Sequence, residues 1–368
     1  MPARAWFDRA ILIAVLVLMI IGLAMVFSSS ALVAQKLGKK ITYFFVKQLI
    51  WAILGLLLML FFMFIDYKKL KSKTINYGVL GISLCLLVYV LLGHNDIKRW
   101  VKLGSFSLQP SELAKIGIIL FLAFTLQNRK IPLSSKSLLS ISLIVFLVVG
   151  LILIEPDLGT AFLITLVFLT MLFVLGISKR LIITILIVGV VLLIFALELY
   201  SYRMERIVAW WCQIAGKELS SKNISDALFQ LEQAKIAVGS GGIKGLGFGN
   251  SLQKLFYIPQ PHNDFIFAII SEELGLIGAL GIWLLFFIIF VRGALIAKSS
   301  PDRYGSYLAF GITLLLIYQS LINMSVVLGL LPTKGIPLPF ISYGGSSLLS
   351  SLCCIGLLLN LSMNVNKT

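Results

Sequence analysis

The sequence predicts an all-α polytopic membrane protein with ten transmembrane helices, both termini cytoplasmic, and a large extracytoplasmic loop between the seventh and eighth helices. Three observations predict it. The 368 residues are 59% hydrophobic and only 12% charged, about half the charged fraction of a soluble domain. Ten apolar runs are long enough to cross a bilayer. Lys and Arg are spread unevenly over the two alternating sets of loops that those runs define.

The runs lie at about 10–27, 43–65, 77–92, 111–127, 137–154, 158–176, 180–199, 265–291, 305–328 and 344–362. The first has no convincing cleavage pattern and reads as a span, not a removed leader. Pro156 separates the fifth run from the sixth, and Lys179 with Arg180 separates the sixth from the seventh. With the N-terminus inside, the cytoplasmic segments hold fifteen Lys and Arg. The other face holds nine once the loop 200–264 is left out, because long loops cross largely regardless of charge. Of the acids, only Asp8, Asp66 and Asp302 fall on the cytoplasmic side, so polar chemistry collects on the outer face. The chain, 1–368, is read as one membrane domain, and no internal repeat is evident.

The formal net charge of +16 fits basic loops against anionic headgroups of the lipid bilayer. No soluble segment offers a nucleic-acid surface, so nucleic acid is excluded as a partner. Of the four cysteines, Cys85, Cys353 and Cys354 lie in apolar runs and Cys212 in a polar loop. That pattern implies no disulfide framework, and Cys353–Cys354 lacks zinc-ligand spacing.

The loop 200–264 has its own organisation. RMERIVAWWCQIA (203–215) has helical apolar spacing, and Trp210 and Trp211 suit an interfacial helix. ISDALFQLEQAKIAVGSGG (224–242) reads as a second amphipathic helix capped by Ser225 or Asp226 and stopped by Gly239. The glycine run GSGGIKGLGFGNS (239–251) has neither the preceding strand nor the G-K-[ST] of a phosphate loop. Its glycines allow the loop to lie flat on lipid or to approach a ligand closely.

Asp264 stands where the eighth run begins. An acid there caps a helix and complements its dipole. At a membrane surface, partly buried, it is equally a general base, and spacing alone leaves both readings open. His262 either orients a substrate or is a plain turn residue. In the second outer loop, Arg99 and Lys102 flank Trp100, which suits an anionic lipid headgroup. QPSE (109–112) is a helix start, with Ser111 as N-cap or Pro110 just before it. Glu112 and Lys115 then form a local i,i+3 pair or face a cavity, since charge at membrane depth is expensive. EPDLGT (155–160) puts Glu155 and Asp157 in a tight turn or an acidic contact. LPTKGIPLPFISYGGSS (331–347) has three prolines and three glycines and cannot be a helix. Such backbone at depth is buried in protein or lines a wet cavity. Lys334 is its one charge and suits a phosphate, and Ser342 is a further candidate contact. Glu272 and Glu273, two turns into the eighth helix, should face a cavity or a partner and not lipid.

Four segments together, RWVKLGSFSLQPSELAK, EPDLGT, the stretch from the glycine run through PQPHNDFIFAIISEELG, and GLLPTKGIPLPFISYGGSSLL, resemble the SEDS family of cell-wall proteins (FtsW, RodA, SpoVE). The resemblance covers nearly the whole chain, and GLLPTKGIPLPF is more similar to the division-type members than to the elongation-type ones. It implies ten transmembrane helices with a large loop between the seventh and eighth. It also implies a peptidoglycan glycosyltransferase of the bacterial inner (cytoplasmic) membrane that polymerises lipid II, an undecaprenyl-diphosphate-linked disaccharide peptide. The implied partners are a class B penicillin-binding protein, a transpeptidase, and other divisome proteins. The family's catalytic aspartate maps onto Asp264. Among the departures from its usual P-E-A-H-T-D, Gln260 replaces the glutamate and Asn263 the threonine.

On this reading Asp264 is the catalytic base, and Arg99, Lys102, Glu112, Lys115, His262, Lys334 and Ser342 are substrate contacts. The developing diphosphate charge must be met by cations: Arg99, Lys102, Lys115 and Lys334, or a divalent ion. The rivals are a lipid II flippase, which needs a hydrophilic path across the membrane, and a scaffold that activates a partner transpeptidase. Charge here clusters on the outer half, which favours the enzyme.

Overall fold

The computed structural model describes residues 7–93, 99–103, 106–127, 135–177, 183–187, 189, 191, 201–215, 222–255, 257–333 and 335–365. Its helices are α1 (Arg9–Lys36), α2 (Tyr43–Phe64), α3 (Tyr67–Leu70), α4 (Lys73–Leu92), α5 (Pro110–Gln127), α6 (Ser135–Ile154), α7 (Leu158–Val174), α8 (Ser201–Ala215), α9 (Lys222–Ser240), α10 (Ile266–Ser299), α11 (Arg303–Val327) and α12 (Gly345–Val365). Among the described residues, eight of these are long and apolar enough to cross a membrane, and α7 is a shorter apolar helix. The expected seventh span, 180–199, lies largely outside the described residues, although 183–187 are helical.

Several boundaries move for local reasons. α1 runs nine residues past the apolar run because its serines stay in the helix: Ser29 Oγ donates to the Met25 carbonyl at 2.7 Å. α10 continues past Val291 to Ser299, and Arg292 in this extension pairs with Asp8 at 2.6 Å. α9 starts at Lys222, three residues before the expected cap. The loop before α5 holds a short antiparallel hairpin, β1 (Val101–Leu103) with β2 (Phe106–Leu108), with Lys102 opposite Ser107. It is the one departure from an all-α description among the described residues.

α5, α11 and α12 form the inner part of the bundle, and most of their residues are buried. α2 and α10 instead expose Leu57, Phe61, Phe64, Leu280 and Leu284, the expected face toward lipid tails. α12 lies tightly against α2: a side chain at Gly356 would strike the Met59 carbonyl, so the small residue permits the close approach. Asp8 caps α1 through Ile11 N–H at 3.1 Å, accepts from Arg292 near the end of α10, and its own N–H donates to Ser362 Oγ at 3.0 Å. The first and last described residues therefore sit at the same end of the bundle. The turn before α10 lies at the other end.

The glycine run packs against a break in α10. α10 breaks at Gly275 (φ 66, ψ −165), which strands helical amides and carbonyls on either side, and the run satisfies them. Leu246 N–H donates to the Glu272 carbonyl at 2.9 Å and Gly247 N–H to that of Glu273 at 3.0 Å. Leu276 N–H donates to the Gly242 carbonyl at 2.9 Å. A side chain at Gly245 or Gly275 would strike the other segment's backbone, so both glycines are required by backbone-to-backbone contact. Glu272 and Glu273 anchor the same loop. Glu273 accepts from Lys254 Nζ at 2.8 Å, Ser28 Oγ at 2.7 Å and Gly249 N–H at 3.0 Å, and Glu272 accepts from Leu252 N–H at 2.9 Å. Both acids therefore have the partners that their depth in the helix demands.

Candidate active site

The turn 259–265 is compact because Gln260 adopts a left-handed backbone (φ 48) and Asn263 N–H donates to its carbonyl at 3.1 Å. α10 begins only at Ile266, with Phe265 in the cap position and no side-chain cap. Asp264 therefore does not cap the helix, although its sequence position suggested that role. Its partly buried side chain lines a polar cavity of about 280 Å³. The walls are Arg206 from α8, Gln230 from α9, the turn residues Pro259, Gln260, Asn263 and Phe265, and Thr333 with Gly335 from the segment before α12. A side chain at 335 would come within 3.1 Å of Asp264 Oδ2, so the glycine keeps the carboxylate accessible. Two larger cavities of about 420 Å³ each border α10 and α11, and no acidic or basic side chain among the described residues lines either.

Buried amides on α11 hold the walls in register. Asn323 Nδ2 donates at 2.8 Å both to the Asp264 carbonyl and to the Ile336 carbonyl. One turn away, Gln319 Nε2 donates to the Pro337 carbonyl at 2.9 Å while its Oε1 accepts from Lys115 Nζ at 2.9 Å. Lys115 in turn pairs with Glu112 at 2.8 Å, and Ser350 Oγ donates to Glu112. An ordered polar network thus runs from α5 through α11 to the irregular segment, whose backbone groups would otherwise go unpaired at depth.

Burial pushes the Asp264 carboxyl up to about 6, while Arg206 and then Arg99 draw it down and Asp157 adds a further push upward. Arg99 Nε donates to the Glu155 carbonyl at 3.1 Å. The Glu155 carboxyl is fully buried with neither oxygen hydrogen-bonded. Burial and then Asp157 push it up to about 8, against Arg99. Asp157 caps α7 through Thr160 N–H at 3.1 Å and accepts from Gln109 Nε2 at 2.8 Å and Ser111 Oγ at 3.1 Å. Glu155 and Asp157 thus tie neighbouring loops together. Ser111 spends its hydroxyl on Asp157 and not on capping α5.

The other expected contacts scatter. Glu112 and Lys115 are almost fully buried and satisfied by each other, Ser350 and Gln319. They do not line the cavity, because an unpaired charge there would be too costly to leave for a ligand. His262 is buried between Phe44 and Tyr343, with ring centroids 4.6 and 5.5 Å away, and burial lowers its pKa to about 4. It is a neutral packing residue outside the cavity wall. Ser342 Oγ accepts from Leu338 N–H at 2.8 Å and closes the turn before α12. Lys334 and the side chain of Lys102 lie outside the described residues. Sequence reading missed Arg206, Gln230, Gln319 and Asn323. A signal existed for the last two, since carboxamides one turn apart in a transmembrane helix seldom face lipid. None existed for Arg206, one of two arginines on an amphipathic helix.

The family model described as "Cell cycle protein" (FtsW, RodA, SpoVE) matches residues 8–367. A protein of Trichlorobacter lovleyi named "Probable peptidoglycan glycosyltransferase FtsW" is 38% identical over 97% of this chain and 93% of its own length. "Stage V sporulation protein E" of Bacillus subtilis is 38% identical over 96% of both chains. Among solved structures, a chain from "Structural coordination of polymerization and crosslinking by a peptidoglycan synthase complex" superposes with a TM-score of 0.77 at 27% identity, covering 98% of both chains. The Rod shape determining protein RodA of Thermus thermophilus superposes with a TM-score of 0.70 at 27% identity, covering 97% of this chain and 96% of its own. The chain belongs to the FtsW/RodA/SpoVE family of cell cycle proteins.

Proposed function

We propose that the reaction of this peptidoglycan glycosyltransferase is the polymerisation of lipid II, with Asp264 as its general base. One observation carries the reading. A carboxylate, with burial pushing its pKa up to about 6, lines a polar cavity that an arginine also lines. Such a group is mostly ionised at neutral pH and close enough to it to accept a proton in the transition state. The acceptor sugar's 4-hydroxyl oxygen bonds to the donor's anomeric carbon as that carbon's bond to the diphosphate oxygen breaks. The hydroxyl proton goes to Asp264, and the bonding electrons leave with the polyprenyl diphosphate. A diphosphate needs no strong acid to depart, so one carboxylate suffices. Arg206 and Arg99 are the cations nearest in effect to Asp264 and meet the developing charge. Lys115 is spent on Glu112 and Gln319. Among the described residues, no three His, Cys, Asp or Glu side chains group as metal ligands, so a divalent ion here would complete its shell from substrate oxygens and water.

The same reading gives ten spans in the bacterial cytoplasmic membrane, with the cavity on the outer face and both termini cytoplasmic. The meeting of Asp8 with Ser362 at the end opposite the cavity supports it. So does the basic charge of the short loops on that side. The division-type GLLPTKGIPLPF supports a role in cell division, and the solved relative from a polymerising and crosslinking complex supports a class B penicillin-binding protein as partner.

The test is polymerisation of labelled lipid II by purified protein in liposomes, with and without a transpeptidase partner whose serine is removed. Wild type should form glycan strands. Asp264→Asn, with an unchanged thermal unfolding profile, should form none. Polymer from the folded Asp264→Asn protein, or lipid movement without polymer from wild type, overturns the reading.

A further inference from the structure

The loop 241–257 turns its backbone inward and its apolar side chains outward. Ile243, Leu246, Phe248, Leu252, Leu255 and Tyr257 are each between 41 and 68% exposed. The backbone beneath them is paired within the chain. Leu246, Gly247, Gly249 and Leu252 give their N–H groups to Glu272 and Glu273. Gly245 N–H donates to the Gly241 carbonyl at 2.8 Å, Asn250 N–H to that of Gly247 at 3.1 Å and Leu255 N–H to that of Leu252 at 3.0 Å. Even the exposed Asn250 turns its amide back, donating to the Leu246 carbonyl at 3.1 Å. A loop built for water seldom pairs its backbone so fully while exposing six large apolar side chains.

The loop is also held well below the ends of two spanning helices. Lys254 Nζ donates to Ser28 Oγ at 3.1 Å. Ser28 lies eight residues before Lys36, where α1 ends, which is roughly 12 Å of helix. The contact at Gly275 lies nine residues after Ile266, where α10 begins, which is roughly 13 Å. At both anchors the neighbouring side chains face outward: Phe27 on α1, and Leu276 and Ile277 on α10. Leu276 and Ile277 donate their N–H groups to the Gly242 and Ile243 carbonyls at 2.9 and 3.3 Å, so the outward apolar surface of α10 continues into the loop.

We propose that this loop is inserted in the membrane leaflet on the side of the cavity, with its apolar side chains among the acyl chains of the lipid. Hydrocarbon admits irregular backbone only where its polar groups are paired inside the protein, and the bonds to α10 meet that condition. Lys254 is neutralised by Glu273 at 2.8 Å, and the exposed Lys244 has a stem long enough to carry its charge up to the headgroups. A soluble partner domain would have to descend to the level of Ser28 and Gly275 to cover this surface, whereas lipid already surrounds α1 and α10 there. Because the loop leads directly into the turn 259–265, its depth also fixes where Asp264 stands relative to the headgroups.

The experiment reads depth directly. Full-length protein carrying Cys85→Ser, which removes the exposed cysteine and leaves three buried ones, receives one fluorophore through Phe248→Cys or Leu252→Cys. It is placed in vesicles of phosphatidylethanolamine and phosphatidylglycerol. The exposed Glu232 of α9, as Glu232→Cys, is the reference for a polar surface. Nitroxide on the lipid acyl chains should quench the labels at 248 and 252 severalfold more strongly than aqueous iodide does, and the order should reverse at 232. Quenching of the loop labels by iodide and not by lipid overturns the inference. Shielding from both quenchers that appears only when a transpeptidase partner is added marks a protein interface and overturns it too. The two loop positions are read independently, so misfolding of one variant leaves the other to decide. No activity is read, so either failure leaves the glycosyltransferase reading standing.

Discussion

Asn323 holds Asp264 by its backbone. The Asn323 amide nitrogen lies 2.8 Å from the Asp264 carbonyl and 2.8 Å from that of Ile336, so one side chain on α11 joins the turn that bears Asp264 to the irregular segment before α12. The carboxylate of Asp264 is left unengaged by this tie and remains available to a ligand.

Asn323→Leu should therefore orphan two carbonyls, at about 1–3 kcal/mol each. The expected outcome is a lower unfolding temperature in detergent and a fall in kcat larger than the change in KM, because a base displaced by about 1 Å can lose on the order of 100-fold in rate. An unchanged kcat in a protein with a lowered unfolding temperature would mean that the tie is only structural.

With Asp264 as the proposed base, its ionisation should set the acid limb of the rate profile. With its carboxyl pushed up to about 6 by burial, kcat/KM should rise as pH passes through about 6 and then level. Arg206 holds that value down, so Arg206→Gln should move the limb to higher pH. Gln260→Glu adds a like charge to the same cavity and should move it in the same direction. A limb that stays in place in both variants would assign it to another group.

Glu155 gives stability its own pH dependence. Its carboxyl is raised from an ordinary value near 4.5 to about 8. Between those values the folded chain binds more protons than the unfolded one, so this group's contribution is complete below about 4.5 and is lost as pH rises through about 8. Glu155→Gln should match wild type at the acid end and exceed it in unfolding temperature at the alkaline end. Parallel curves across the window would show that the carboxyl ionises normally.

Glu112 and Lys115 are expected to act as a structural pair. Lys115→Met alone leaves Glu112 charged and buried and should cost about 3–5 kcal/mol. Adding Glu112→Gln should recover most of that loss, and polymerisation should return with it. A stable, inactive double variant would restore these residues to the substrate site.

Gly275 and Gly281 on α10 make a matched comparison. A side chain at 275 strikes the Gly245 backbone at a position with φ +66, whereas nothing lies within 4 Å of one at 281. Gly275→Ala should expel the glycine run and reduce the yield of folded protein. Gly281→Ala should be neutral or slightly stabilising, since Ala favours helix by about 1 kcal/mol. Equal yields would show that the run is not docked as described.

The sequence by itself determined the eight spans seen among the described residues, the amphipathic helices of the long loop, and the turn that bears Asp264. Hydrocarbon requires long apolar segments that satisfy their own backbone, and that requirement is written locally, residue after residue. It also marked Glu272 and Glu273 as acids that must face a cavity or a partner, and it offered Glu112 and Lys115 as a local pair, which the structure shows. It did not give the contacts that join distant segments. Asp8 meets Ser362 across 354 residues, Gln48 meets Ser342 across 294, and Asn323 meets Asp264 across 59. Whether a polar side chain faces a cavity, as Arg206 does, or closes a turn, as Ser342 does, depends on which helices pack beside it. The tertiary structure alone decided that His262 is packing and Asp264 is accessible, although two residues separate them. Their side chains leave one tight turn in different directions, one into the Phe44–Tyr343 cluster and the other into a polar cavity.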